Sequence, residues 1–181
     1  ALGHLNHQLV HNRVSACYRC QTVLGDYREQ FMSEMVNSLP AREHRMKLVS
    51  GEWPEGCGSC RDFENDGNQS TRLKELQGSA LEKVLEGYDP QTGAISRLRS
   101  IELRFGNECN LTCRHCSSVH SSKWEALVTR DPSLLKQLYR DMEAKGSQPK
   151  EGYFEDVLEN LVPGLEKIMF SGGETLYQKA H

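Results

Sequence analysis

The chain has 181 residues, 37% of them apolar, with a formal net charge of −3 and a pI near 6.2. That balance gives no basic face for a nucleic acid, and no apolar run approaches the ~18 residues of a membrane span. No leader-type pattern opens the sequence, so these features predict a cytoplasmic protein with a thin core.

In chain order, His4, His7 and His11 come first, at i, i+3 and i+7, the spacing of one helical face. Imidazoles so placed could ligate metal, though a polar terminal segment more often just solvates them. Cys17 and Cys20 form a first Cys-x2-Cys pair. Glu29 to Leu39 then sets Phe31, Met35, Val36 and Leu39 on one side of a predicted helix. Cys57 and Cys60 form a second pair. Ser70 to Glu86 reads as another helix, with Leu73, Leu76, Leu81, Val84 and Leu85 inward and Gly87 as its stop.

Tyr88-Asp-Pro-Gln-Thr-Gly93 reads as a turn, and the expected division falls there. Residues 1–93 would be a mostly helical, cysteine-rich region, and 94–181 an α/β unit. Ile101 to Phe105 alternates at period two, the mark of a strand with unlike faces. Cys109, Cys113 and Cys116 follow on a loop, and Ser122 to Glu125 is a capping-box pattern. Asp131-Pro132 predicts a helix start, with Leu134, Leu135, Leu138 and Met142 on one face and Gly146 as its end. A short helix with Phe154, Val157, Leu158 and Leu161 inward precedes Pro163-Gly164. Leu165 to Phe170 is the second strand, closed by Ser171-Gly172-Gly173-Glu174. Strand, loop, helix and strand in this order predict a parallel pair with a right-handed crossover.

Seven cysteines in groups of two, two and three do not suit a disulfide framework, which favours an even count in an exported chain. Grouped spacing points to metal. Three thiolates converging on one point can hold a [4Fe–4S] cubane by three of its irons. A fourth cysteine would close it, so a triplet leaves one iron open to a small molecule. Packed free thiols or a partial zinc site are the plainer alternatives, although zinc favours four ligands and Cys-x2-Cys pairs. The four thiols of Cys17, Cys20, Cys57 and Cys60 make a closed set suited to zinc or to a second, closed cluster.

The Cys109-Asn-Leu-Thr-Cys113-Arg-His-Cys116 loop and Phe170-Ser-Gly-Gly-Glu174 together resemble the radical S-adenosylmethionine enzymes. The resemblance implies a full or partial (β/α) barrel, of which only the first two strands fall in this sequence, since a complete barrel takes about 250 residues. It implies that Cys109, Cys113 and Cys116 ligate a [4Fe–4S] cluster and that Gly172, Gly173 and Glu174 contact S-adenosylmethionine. An external electron donor would reduce the cluster. His115 stands where the family commonly has an aromatic residue. Gly51 to Arg72, which contains Cys57 and Cys60, is similar to the Twitch and SPASM modules that hold auxiliary iron–sulfur clusters. The expectation is therefore a radical enzyme, or an inactive fragment of one, acting on a peptide, protein or polar metabolite. The competing expectation is a non-catalytic iron–sulfur or zinc module for electron transfer or protein binding.

Overall fold

The computed structural model describes residues 4–8, 12–77, 81–104, 106–134 and 149–177. The predicted Leu135, Leu138, Met142 and Gly146 helix positions lie outside them, as does His11. Among the described residues five strands form one sheet in the order β3-β2-β1-β4-β5. They are β1 His4–Gln8, β2 Arg13–Ser15, β3 Val23–Asp26, β4 Ser100–Leu103 and β5 Lys167–Phe170. The first three are antiparallel neighbours, whereas β1 pairs with β4 and β4 with β5 in parallel. Ile101 lies opposite both Leu5 and Ile168.

His4 and His7 thus sit on a strand, which corrects the helical reading of the histidine spacing. Adjacent strand side chains point to opposite faces, so residues three apart do not share one there. The sheet continues across the Tyr88–Gly93 turn, because β1 belongs to one side of it and β4 to the other.

The long helix expected over Glu29 to Leu39 is divided into α1 Met32–Val36 and α2 Leu39–Val49. Pro40 sits in the first turn of α2, where a missing N–H costs nothing. The side chains at the junction are also engaged elsewhere. Ser38 Oγ donates to the Leu24 carbonyl, and Asn37 pairs with Ile95 through both its amide groups, at 2.9 and 3.0 Å. Leu39 consequently faces solvent. Gly51, in the left-handed region at φ +83°, ends α2. α3 Gly58–Asn65, α4 Thr71–Gln77, α5 Leu81–Leu85, α6 Ser122–Arg130 and α7 Tyr153–Asp156 complete the α-helices among the described residues. α7 runs on into a wider turn over Val157–Leu161, and Leu158, expected inward, is exposed.

The core draws on both ends of the chain. Val14, Leu24, Tyr27, Met32 and Met35 pack with Ile101, Leu103, Tyr153 and Val157. The Tyr27 and Tyr153 rings meet edge to face at 6.0 Å. Asp156 accepts from both the backbone and the hydroxyl of Ser33 and from Asn160 Nδ2, tying α7 to α1. Arg45 is buried on α2 and donates to the carbonyls of Val36 and Gly93 and to Asn37 Oδ1. Burial lowers its pKa to about 10, so it stays charged at neutral pH and acts as a cationic clamp on backbone oxygens.

Asn37 is the keystone of that clamp. Asn37→Ala leaves two Ile95 backbone groups and one Arg45 N–H without their partner, and should cost about 2–3 kcal/mol in urea unfolding. A loss under about 0.5 kcal/mol would mean that the junction is held by packing alone.

Candidate metal centres

Two loops carry the N-terminal thiols. Cys17 and Cys20 lie on the turn between β2 and β3, closed by Cys20 N donating to Cys17 O at 3.1 Å. Cys57 ends a short 3-10 turn, and Cys60 lies in the first turn of α3. The loops are laced together by Gln21 N donating to Gly56 O at 3.0 Å. Gly56 permits this approach, because a Cβ there would stand 2.2 Å from Thr22 N. Arg72 of α4 stacks over Trp53 at 4.5 Å beside the second pair.

The neighbouring Cys17 and Cys57 thiols pull the Cys20 thiol down, while the Cys20 sulfur, together with burial, pushes those two up. Cys60 is half-buried next to them and adds charge repulsion at Cys57.

His44 joins this group from α2, and sequence reasoning missed it. Its Nε2 lies 4.0 Å from Cys57 Sγ, and burial lowers its pKa, which keeps the ring neutral. The ligand atoms of Cys20, His44 and Cys57 all lie within 4.8 Å of one another, so the three could bind a metal. The one available signal was Ala41, His44 and Arg45 at i, i+3 and i+4, the buried side of α2.

The second centre hangs from the C-terminal end of β4. Cys109 and Cys116 are half-buried and Cys113 is exposed. Their sulfurs do not form a group as tight as the N-terminal one. The loop is pinned by polar side chains from α6. Ser122 Oγ accepts from Cys109 N at 3.0 Å and donates to Cys109 O at 3.1 Å. Trp124 Nε1 donates to Cys113 O at 2.9 Å, and Ser121 Oγ donates to Leu111 O at 2.8 Å. Ser121, one residue earlier than expected, is the N-cap of α6, accepting from Trp124 N. Glu125 is not reaching back to a cap; its carboxylate accepts from Asn107 Nδ2 at 2.8 Å. Leu111 N donates to Cys109 Sγ at 3.4 Å.

Gly172, Gly173 and Glu174 lie against this loop. Gly173 N donates to His120 O and Glu174 N to Glu108 O, both at 2.9 Å. Gly172 has φ +83°, and a Cβ there would lie 2.4 Å from Arg104 Cγ and 2.9 Å from Gly106 O. Its missing side chain thus serves packing on the end of β4. Beneath, Ser171 Oγ donates to Glu102 Oε1 at 2.8 Å, and Arg104 reaches Ser171 Oγ at 3.3 Å and Glu102 at 3.9 Å. Glu102 is buried and Arg104 half-buried in this ion pair, with His120 Nδ1 3.4 Å from Arg104.

Among the described residues no helix is long and apolar enough to cross a membrane. The chain is 25% identical over 149 residues to an S-adenosylmethionine-dependent nucleotide dehydratase of Lacinutrix mariniflava. The aligned part is 81% of this chain and 28% of that protein, so the chain spans under a third of the length of the curated relative it matches. No protein-family model matches the chain, and no solved structure matches it.

Ser122→Ala removes both bonds on Cys109, and should speed amide exchange at Cys109 about tenfold, with a cost near 1–2 kcal/mol. Gly172→Ala forces an L-residue into left-handed backbone against Arg104, at about 2 kcal/mol or more. Exchange at Glu174 N–H should rise with it. Unchanged exchange in either variant would show that the loop is held by other contacts.

Proposed function

We propose that this chain carries the cluster-binding and S-adenosylmethionine-binding part of a radical S-adenosylmethionine enzyme. In this reading Cys109, Cys113 and Cys116 hold a [4Fe–4S] cluster, and β4 and β5 are the first two strands of a partial (β/α) barrel. The observation that carries it is the pair of backbone bonds holding Gly173 and Glu174 on the cysteine loop. Two motifs separated by some fifty residues thereby share one rim, at the carboxyl ends of neighbouring parallel strands, where α/β folds receive ligands.

The donor set suits that group. An exposed Cys113 leaves one side of the loop open to an incoming molecule, and the half-buried Cys109 and Cys116 anchor the other. A cubane takes each sulfur on a different iron, so three thiols spaced more widely than a single-ion site fit it. When bound, the cluster supplies an open iron for the amino and carboxylate groups of S-adenosylmethionine, and an electron that breaks its sulfonium bond to give a 5′-deoxyadenosyl radical. The chain's own residues position the ligand. The Glu174 carboxylate, acceptor-only, is suited to the methionine ammonium group. Ser121, Ser122 and Trp124 keep the loop carbonyls occupied and the three thiols in place.

The relative's name supports S-adenosylmethionine as the co-substrate and an enzyme as the class. It also favours a nucleotide-like polar metabolite over a peptide or protein as the molecule acted upon. The reading also includes an external electron donor, and a second metal centre formed by the N-terminal thiols.

Anaerobic loading with iron and sulfide should give the Cys109 loop a cluster of about four irons. Its electron paramagnetic resonance signal should shift when S-adenosylmethionine is added. Cys113→Ala should abolish that shift and Cys57→Ala should leave it. Equal behaviour of the two variants, or no shift in the parent chain, would defeat the proposal.

A further inference from the structure

The geometry points to His44 as a protein ligand of the N-terminal metal centre, and to a single tetrahedral ion there, zinc, held by Cys20, Cys57, His44 and Cys17. This inference uses none of the residues of the S-adenosylmethionine reading and stands or falls separately from it.

Size is the first argument. Zinc binds thiolate sulfur at about 2.3 Å and imidazole nitrogen at about 2.0–2.1 Å, so its ligand atoms stand roughly 3.5–3.8 Å apart. Cys57 Sγ and His44 Nε2 are 4.0 Å apart, and the three-residue group spans no more than 4.8 Å. Small side-chain adjustments close that gap onto one ion. A cubane attaches each thiolate to a different iron and needs the sulfurs spread apart. The N-terminal group is instead gathered, with the ligand atoms of Cys20, His44 and Cys57 all within 4.8 Å of one another. Cys17 lies outside that 4.8 Å group but on the same tight turn as Cys20, closed by Cys20 N donating to Cys17 O at 3.1 Å, and is assigned here as the fourth sulfur.

The second argument is the state of the ring. His44 is 4% exposed, and its Nδ1 is buried without a hydrogen-bond partner. Its Nε2 has only a sulfur at the limit of a weak contact. A buried imidazole so poorly satisfied costs stability, about 1–3 kcal/mol for an unmet polar group. A metal ion on Nε2 gives that nitrogen the partner it lacks and leaves only Nδ1 unmet. Three thiolates and one imidazole are a donor set that closes a structural zinc site, and such a site contributes directly to folding. That fits its place between the β2–β3 turn, α2 and the turn before α3, three segments that share the core around Cys20.

The test uses the full chain loaded with zinc alone, with Cys109, Cys113 and Cys116 changed to Ser so that other thiols do not compete. The zinc X-ray absorption edge should show about three sulfurs and one nitrogen, with the outer-shell scattering of an imidazole. His44→Ala should weaken zinc retention against a chelator at least about tenfold, and His44→Cys should restore it with an all-sulfur shell. Because the absorption shell is read on a chain with His44 intact, a folding defect in His44→Ala does not blur the answer. A shell of sulfur alone in that chain, no zinc bound, or a cluster of iron and sulfide that displaces zinc and is indifferent to His44→Ala, would each overturn the inference.

Discussion

Ser100–Leu103 is the one strand among those described that is hydrogen-bonded in parallel on both sides, and the rest of the structure is arranged around that constraint. Such pairing covers both edges of the strand, and Ile101, Glu102 and Leu103 are all buried as well. For Ile101 and Leu103 that is favourable. For Glu102 it is costly unless the carboxylate finds donors. Ser171 supplies one from just past β5, and Arg104 adds its charge from just past β4. The requirement to satisfy one buried carboxylate therefore links the two strand ends from which the cysteine loop and the Gly-Gly-Glu segment depart. Register, polar satisfaction and the meeting of the two motifs have a common physical origin.

Several elements were legible in the sequence because their signals are local. The two parallel strands show as an alternating run ended by Gly106 and as the run Leu165 to Phe170 closed by Gly172-Gly173, and the cysteine spacing needs no fold to be seen. Boundaries were harder where competing side-chain bonds decide them. Ser121 and Ser122 are both good caps by type, and the loop chooses between them by using Ser122 on Cys109. The helix expected over Glu29 to Leu39 is broken because Asn37 and Ser38 bond to Ile95 and Leu24, residues the local pattern cannot reveal. β1 to β3 are three to five residues each and rich in polar side chains. Their stability comes from pairing, with no face pattern of their own to announce them. His44 shows the same limit at the level of a site. It is 13 residues from Cys57 and further from Cys20, at no ligand spacing, and only the packing of α2 brings it to the thiols.

The two cysteine groups differ in the property that separates structural metal sites from reactive ones. Cys20 is 2% exposed and belongs to the apolar core, with Cys17 and Cys57 half-buried against it. Cys113 is exposed, and the backbone around it is fixed by Ser121, Ser122 and Trp124. Fixing the backbone while leaving a thiol at the surface is poor economy for a purely structural site, because exposure invites oxidation and contributes no burial. It is a sensible arrangement for a centre that must keep its shape while a ligand comes and goes. In a chain with 37% apolar residues, the buried centre near the antiparallel strands would supply rigidity that the core lacks. The exposed one lies at the carboxyl ends of β4 and β5, on the rim that the proposed reaction would use.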